Sequence, residues 1–245
     1  MKDGYGIQKW ESGLKYEGYW KNNQSNGQGK LTYANGDIFE GEWINDKANG
    51  KGIYYFANGA KYEGEWKDNK QCGFGIQYWP DGSKYQGDFE DGKKQGKGIL
   101  HYCDKSYYEG EFQNNIIKGF GIYIWPDNRI YEGQWNFNKM DGFGKMEWPE
   151  NLIIENNINT DNNNDKSSNV IIKDDKDEEE SSIQKGDGKQ YIGHWKQGRQ
   201  HGLGMVVFIN EENKFGVWYK GKNIKWLNKT EVEQYRKQGK LNFLD

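Results

Sequence analysis

The chain has 245 residues, a formal net charge of −3, only 33% hydrophobic residues and a mean hydropathy of −1.16. That balance gives no bias toward nucleic acid, no segment approaches the roughly 20 apolar residues of a membrane span, and Cys72 and Cys103 fit neither a metal spacing nor a disulfide framework. Aromatic residues at 16% and 34 glycines point instead to thin layers in which large rings cover glycine gaps.

From the N-terminus, Met1-Lys2-Asp3-Gly4 has no apolar stretch, so no signal peptide is expected. The glycosylation triplets at Asn23 and Asn228 are therefore read as chance. Gly4, Gly6 and Trp10 form the second half of a unit whose first strand is absent. A pattern aromatic-Glu/Gln-Gly-x-aromatic then starts at Tyr16, Phe39, Tyr62, Tyr85, Tyr108 and Tyr131, each 23 residues after the last. Nine residues after each motif glycine comes a Gly-x-Gly pair, as in Gly50/Gly52 and Gly73/Gly75. Period-2 alternation puts Tyr62, Gly64 and Trp66 on one face of a strand and Glu63 and Glu65 on the other. Asn35-Gly36, Asn58-Gly59 and Asp81-Gly82 predict tight hairpin turns, and Ile44 to Asn49 reads as a six-residue polar loop. Consecutive strands without helices give a meander of about 10 Å per unit, each unit touching only its neighbours.

At Asn151 the period breaks, and Tyr191-Ile192-Gly193-His194-Trp195 resumes it. A degenerate last unit begins at Lys214 and keeps Gly216 and Trp218. Residues 152–185 contain nine acidic and four basic residues and no aromatics, a net charge of −5. They are predicted to be a disordered insertion at a hairpin tip. The domain reading is an array over 4–151 (a half repeat plus six), the insertion over 152–185, two more repeats over 186–226, and a C-terminal capping helix and tail over 227–245. Thr230-Glu231-Val232-Glu233 predicts the start of that helix, Gly239 its stop, and the last open sheet edge its docking place.

The Gly-x-Gly pairs are not followed by Gly-Lys-Ser/Thr and sit in no βαβ pattern, so they do not read as phosphate loops. His101, His194 and His201 occupy different positions of different units, and no metal set is completed. The acidic series Glu17, Glu40, Glu63, Glu109 and Glu132 recurs in too many units to be one active site, and predicts pairing with lysines or capping of turn amides. No catalytic residue, cofactor or metal ligand is expected. Two surfaces are singled out. One is an aromatic groove of Tyr62, Trp66, Tyr85, Phe89, Tyr108, Phe112, Tyr131 and Trp135, for which plain packing within the sheet is the competing reading. The other is a basic loop edge with Lys70, Lys93, Lys94, Lys118, Lys139, Lys196 and Arg199, read first as a solubilising edge and second as an anionic-surface contact.

The 23-residue unit of Tyr-Glu-Gly-x-Trp, Gly-x-Gly and Asn-Gly or Asp-Gly resembles the MORN (membrane occupation and recognition nexus) repeat over residues 4–226 apart from the insertion. Lys105 and Asn128 depart from the pattern by replacing the turn glycine. The resemblance implies an all-β, elongated, single-layer antiparallel meander. It implies a non-catalytic scaffold that holds a helix or extended segment of another protein in a cytoskeletal or ciliary assembly, in the cytoplasm, cytoskeleton or axoneme. The alternative it implies is a peripheral membrane adaptor touching phosphoinositides. Expected partners are other proteins and a second copy of the chain, with anionic lipid ranked below protein and nucleic acid excluded.

Overall fold

Alternating rings and glycines, punctuated by Asn, Asp and Gly, fold into one antiparallel meander in the computed structural model, which describes residues 1–149 and 188–241. The strands are β1 (Gly4–Lys9), β2 (Lys15–Lys21), β3 (Gln24–Thr32), β4 (Ile38–Ile44), β5 (Lys47–Tyr55), β6 (Lys61–Lys67), β7 (Lys70–Tyr78), β8 (Lys84–Glu90) and β9 (Lys93–His101). They continue as β10 (Tyr107–Gln113), β11 (Ile116–Ile124), β12 (Ile130–Asn136), β13 (Lys139–Glu147), β14 (Gln190–Lys196), β15 (Arg199–Val207), β16 (Lys214–Tyr219) and β17 (Lys222–Trp226). Every strand pairs antiparallel with its neighbours in sequence.

The glycines lie opposite one another, as in Gly41↔Gly52 and Gly64↔Gly75. A ring from the same hairpin lies flat over each pair. A Cβ on Gly75 would meet the Tyr62 hydroxyl oxygen and two ring carbons at 2.5–2.7 Å, so only glycine fits beneath the ring. The ring rows form a continuous edge-to-face chain: Phe39 against Trp43 and Trp66, Tyr62 against Trp66 and Phe89, Tyr85 against Phe89 and Phe112. Centroids stand 5.0–5.3 Å apart in these contacts, a favoured arrangement for ring quadrupoles. This spine is the hydrophobic core of a single-layer sheet. We call its side the ring face and the other the open face.

The turns differ from the sequence expectation. Ile44 pairs with Lys47, and only Asn45 (φ 48°) and Asp46 (φ 63°) lie between β4 and β5. This tight turn has both central residues left-handed, which Asn and Asp tolerate. The expected six-residue loop is thus two residues long, and Lys47 and Asn49 belong to a strand. The strand absorbs them at a bulge, where Trp43 opposes Ala48 but Gly41 opposes Gly52. The Asn-Gly ends are the wider connection, as in Tyr33 to Asp37, where Tyr33 N–H donates to the Asp37 carbonyl at 2.9 Å. Lys105 (φ 74°) and Asn128 (φ 65°) adopt the left-handed conformation of the glycines they replace.

The stack continues across the insertion. Gly144 pairs with Gly193 as Gly121 does with Gly133, and Trp148 N–H donates to the Lys189 carbonyl at 3.0 Å. The insertion expected over 152–185 lies outside the described residues. The helix α1 (Lys229–Lys237) begins two residues earlier than the motif suggested. Asn228, not Thr230, is the N-cap; its side chain accepts from Glu231 N–H, and the Glu231 carboxylate accepts from Asn228 N–H. No residue of α1 is buried. Arg236 stacks on Phe215 at 5.6 Å and Glu231 pairs with Lys225. Phe215 and Lys225 both point from the open face, so the helix docks on the face of the last hairpin, where the sequence reading had it closing the edge.

Candidate functional site

Tyr62, Tyr85, Tyr108 and Tyr131 have no exposed surface, and Trp66, Phe89, Phe112 and Trp135 retain 4–9%. The eight rings singled out in the sequence are therefore brought together, as core. Their polar atoms are satisfied internally. Tyr62, Tyr85, Tyr108 and Tyr131 hydroxyls donate to the carbonyls of Glu65, Asp88, Glu111 and Gln134 at 2.9–3.2 Å. Trp66 and Trp135 indoles donate to the Gly52 and Gly121 carbonyls at 3.1 Å. Burial pushes these four tyrosine pKa values well above the ordinary range.

The accessible hollow lies on the opposite side. A trough of about 1040 Å³ runs across the open face from Tyr5 and Tyr19 to Phe74 and Ile76, over Glu17, Glu40, Glu42, Glu63 and Glu65. Phe74 also walls a second hollow of about 420 Å³, with Ile99, Glu109, Glu111, Phe120 and Ile122. Phe74 and Phe120 are each 49% exposed and Tyr19 is 52% exposed. Phe74 and Phe120 are the middle residues of Gly-x-Gly, so alternation turns them away from the ring spine. That same alternation was visible in the sequence; what hid the trough was that this middle position is also Gln28, Lys51 and Lys97.

Acidic groups on this face do two jobs. Glu17, Glu40 and Glu63 pair with Lys15, Lys30 and Lys61 at 2.6–3.1 Å. Glu42, Asp88 and Glu111 accept from the bulge amides of Lys51, Lys97 and Phe120 at 3.1–3.3 Å. Glu17 is held below the usual carboxylate range by the Lys15 and Tyr5 hydrogen bonds. The two hollows together carry seven carboxylates against the amines of Lys15, Lys30, Lys51 and Lys97.

The basic edge is partly neutralised along the array. Lys70 pairs with Asp91 at 2.9 Å, and Lys93 and Lys139 donate to Asn114 and Gln197 at 3.4 and 3.2 Å. Such exposed contacts are worth well under about 1 kcal/mol. Lys118 is exposed and stands apart from these pairs. Lys94 departs from the edge altogether, its amine lying over Trp79 and Tyr85 at 4.9 and 5.2 Å. Lys196 and Arg199 meet His201, Tyr219 and Lys220 around a hollow of about 570 Å³.

Sequence reading missed the clamp along the turn edge. The second turn residue donates its backbone N–H to the preceding unit and takes an N–H back on its side chain. Asn138 N–H donates to the Ile117 carbonyl at 3.1 Å, and Asn138 Oδ1 accepts from Ile117 N–H at 2.8 Å. Asn69 does the same to Ala48, and Asn115 to Lys94. The regular recurrence of Asn or Asp 21 residues on was the available signal. Among the described residues no group of three or more His, Cys, Asp or Glu side chains could hold a metal, and no helix is long and apolar enough to cross a membrane.

The chain matches the family model described as the MORN repeat at residues 16–38, 39–61, 62–84, 85–107, 108–128, 131–152 and 191–210. No curated protein matches it. Among solved structures it is similar to the G-box domain of the microcephaly protein CPAP, for which a role in centriole elongation is suggested. The identity is 12% and the TM-score 0.45, covering 92% of this chain and 99% of that one. It is also similar to the dCPAP TCP domain in complex with a proline-rich motif of dSTIL from Drosophila melanogaster. There the identity is 9% and the TM-score 0.40, covering 87% and 90%.

Proposed function

This chain belongs to the MORN repeat family, and from that premise we propose that it is a non-catalytic scaffold that docks a segment of another protein along its open face. The observation that carries this reading is the acidic trough lined by Tyr19 and Phe74 together with the second hollow beside it, lined by Phe74 and Phe120. Exposed rings in a row offer apolar anchors, and surplus carboxylates select the charge of what lies between them. The occupant that fits is an extended or helical segment carrying lysines or arginines among apolar residues. The rings first singled out, from Tyr62 to Trp135, support the trough from behind. A place in a cytoskeletal or ciliary assembly is the setting that the family resemblance suggests.

The test is to recover partners from the protein's own cells and map the contact by cross-linking, using wild type and a Phe74→Ala/Phe120→Ala variant. The expected result is cross-links to the open face, loss of the partner in the variant with the melting temperature retained, and weaker capture as salt rises. A partner held equally by the variant overturns the reading.

A second reading, contact with an anionic lipid surface, is favoured by one observation. Lys196, Arg199, His201 and Lys220 converge on a hollow with no carboxylate in its wall. Phosphoinositide vesicles retained by wild type and released by Lys196→Gln/Arg199→Gln would support it.

A further inference from the structure

Eight hairpins place a side chain opposite the closing ring of their first strand: Ser25, Ala48, Gln71, Lys94, Ile117, Met140, Gln200 and Asn223. Lys94 alone among them is charged. Two of the closing rings are Phe89 and Phe112, where the other six hairpins have tryptophan. A phenyl ring is smaller than an indole, and at this place the ring face holds a hollow of about 350 Å³. Its wall includes Trp79, Lys94, Tyr102, Phe112, Tyr123 and Trp135. That volume lies at the small end of the range for ligand pockets and has room for one or two side chains.

We propose that this hollow is a second docking site, on the face opposite the trough, which takes an acidic segment of a partner protein by burying an apolar side chain between the rings and setting a neighbouring carboxylate on the Lys94 amine. Among the described residues the amine has no ion-pair partner. Its contacts are the Trp79 and Tyr85 rings, and its backbone N–H is already committed to Asn115 Oδ1 at 2.8 Å. Asp81 is the acidic group in the wall, but it is exposed and accepts from Ser83 N–H at 2.9 Å. A cation among rings without a counter-charge is a place where an incoming carboxylate gains a desolvated, charge-assisted bond. Burial lowers the Lys94 pKa, the direction expected of an amine whose charge lacks compensation. The site does not depend on the trough reading and stands or falls separately.

An acetylated hexapeptide alternating leucine and glutamate, and its glutamine counterpart, are titrated into the full chain while the indole N–H resonances of Trp79 and Trp135 are followed by NMR. The glutamate peptide is expected to shift both resonances, and the glutamine peptide to bind at least tenfold more weakly. Lys94→Met is expected to weaken the glutamate peptide by a similar factor; Met140 occupies the equivalent position in another unit, so the substitution suits the fold. Phe112→Trp restores the residue of the other units and is expected to abolish the shifts. Equal binding of the two peptides, no effect of Lys94→Met, or no shift at millimolar peptide overturns the proposal. So does a phosphatidylserine vesicle that shifts the same resonances in a Lys94-dependent way.

Discussion

At the scale of single residues the fold rests on a ring lying over a glycine pair. The sequence made this legible, because a tyrosine (phenylalanine at Phe39) and both glycines recur in phase in every complete unit. It did not show whether the rings face a partner or each other. That depends on neighbouring units closing over them, with Tyr62 fully buried between Trp66 and Phe89. Gly75→Ala is expected to destabilise the chain by ~2–3 kcal/mol, since the methyl would strike the hydroxyl oxygen and two ring carbons of the fully buried Tyr62. Gly6→Ala is the control, its Cβ meeting nothing closer than 3.5 Å, and chemical denaturation of the two variants separates them. The buried tyrosines also fix a pH limit. Burial raises Tyr62, Tyr85, Tyr108, Tyr131 and Tyr191 above their unfolded value of about 10. Their contribution to stability is full below that pH and is lost above it, because only the unfolded chain can ionise them. Each costs roughly 1.4 kcal/mol per pH unit, so five together reach about 14 kcal/mol within about two units, comparable to a typical stability of about 5–15 kcal/mol. Absorbance of tyrosinate should therefore rise in one cooperative step together with loss of near-ultraviolet dichroism. A gradual, non-cooperative rise would contradict a buried spine.

At the scale of the hairpin, strand existence was readable and turn type was not. The stretch Ile44 to Asn49 is polar throughout, and polarity alone marks a loop. Its length is decided by the bulge after Ala48, which draws polar residues back into a strand whose open face tolerates them. The turn that results places an Asn or Asp where it can reach the preceding unit. Asn138 combines a left-handed backbone (φ 62°) with a bond accepted from Ile117 N–H. Asn138→Ala is expected to cost ~2 kcal/mol, about half from the lost bond and half from the backbone conformation. Asn138→Gly keeps the conformation and should cost about 1 kcal/mol, as Gly92, Gly198 and Gly221 do without the side chain in their own units. Melting curves of the two variants divide the terms; equal losses would mean that the backbone contributes nothing.

At the scale of the whole chain, the array is a one-dimensional stack whose stability is a sum of units and nearest-neighbour contacts. The sequence showed a break of period after Asn151 and placed it at a hairpin tip, which requires the strands on either side to pair in one sheet. The pairing of β13 with β14 settles this, since Tyr131 packs against Trp195 at 5.3 Å just as Tyr108 packs against Trp135. Trp148 and Lys189 close their turn with the same bond that joins Trp79 to Ser83, where only Pro80, Asp81 and Gly82 intervene. Trp148 and Lys189 thus stand at ordinary hairpin distance. Replacing residues 149–188 by Pro-Asp-Gly shortens the connection from about 40 residues to about three, and loop-closure entropy varies with the logarithm of that length. The expected outcome is a gain of about 2 kcal/mol in unfolding free energy, with one cooperative transition retained. A chain that instead melts in two steps, or loses stability, would show that the insertion takes part in holding the last units to the first six.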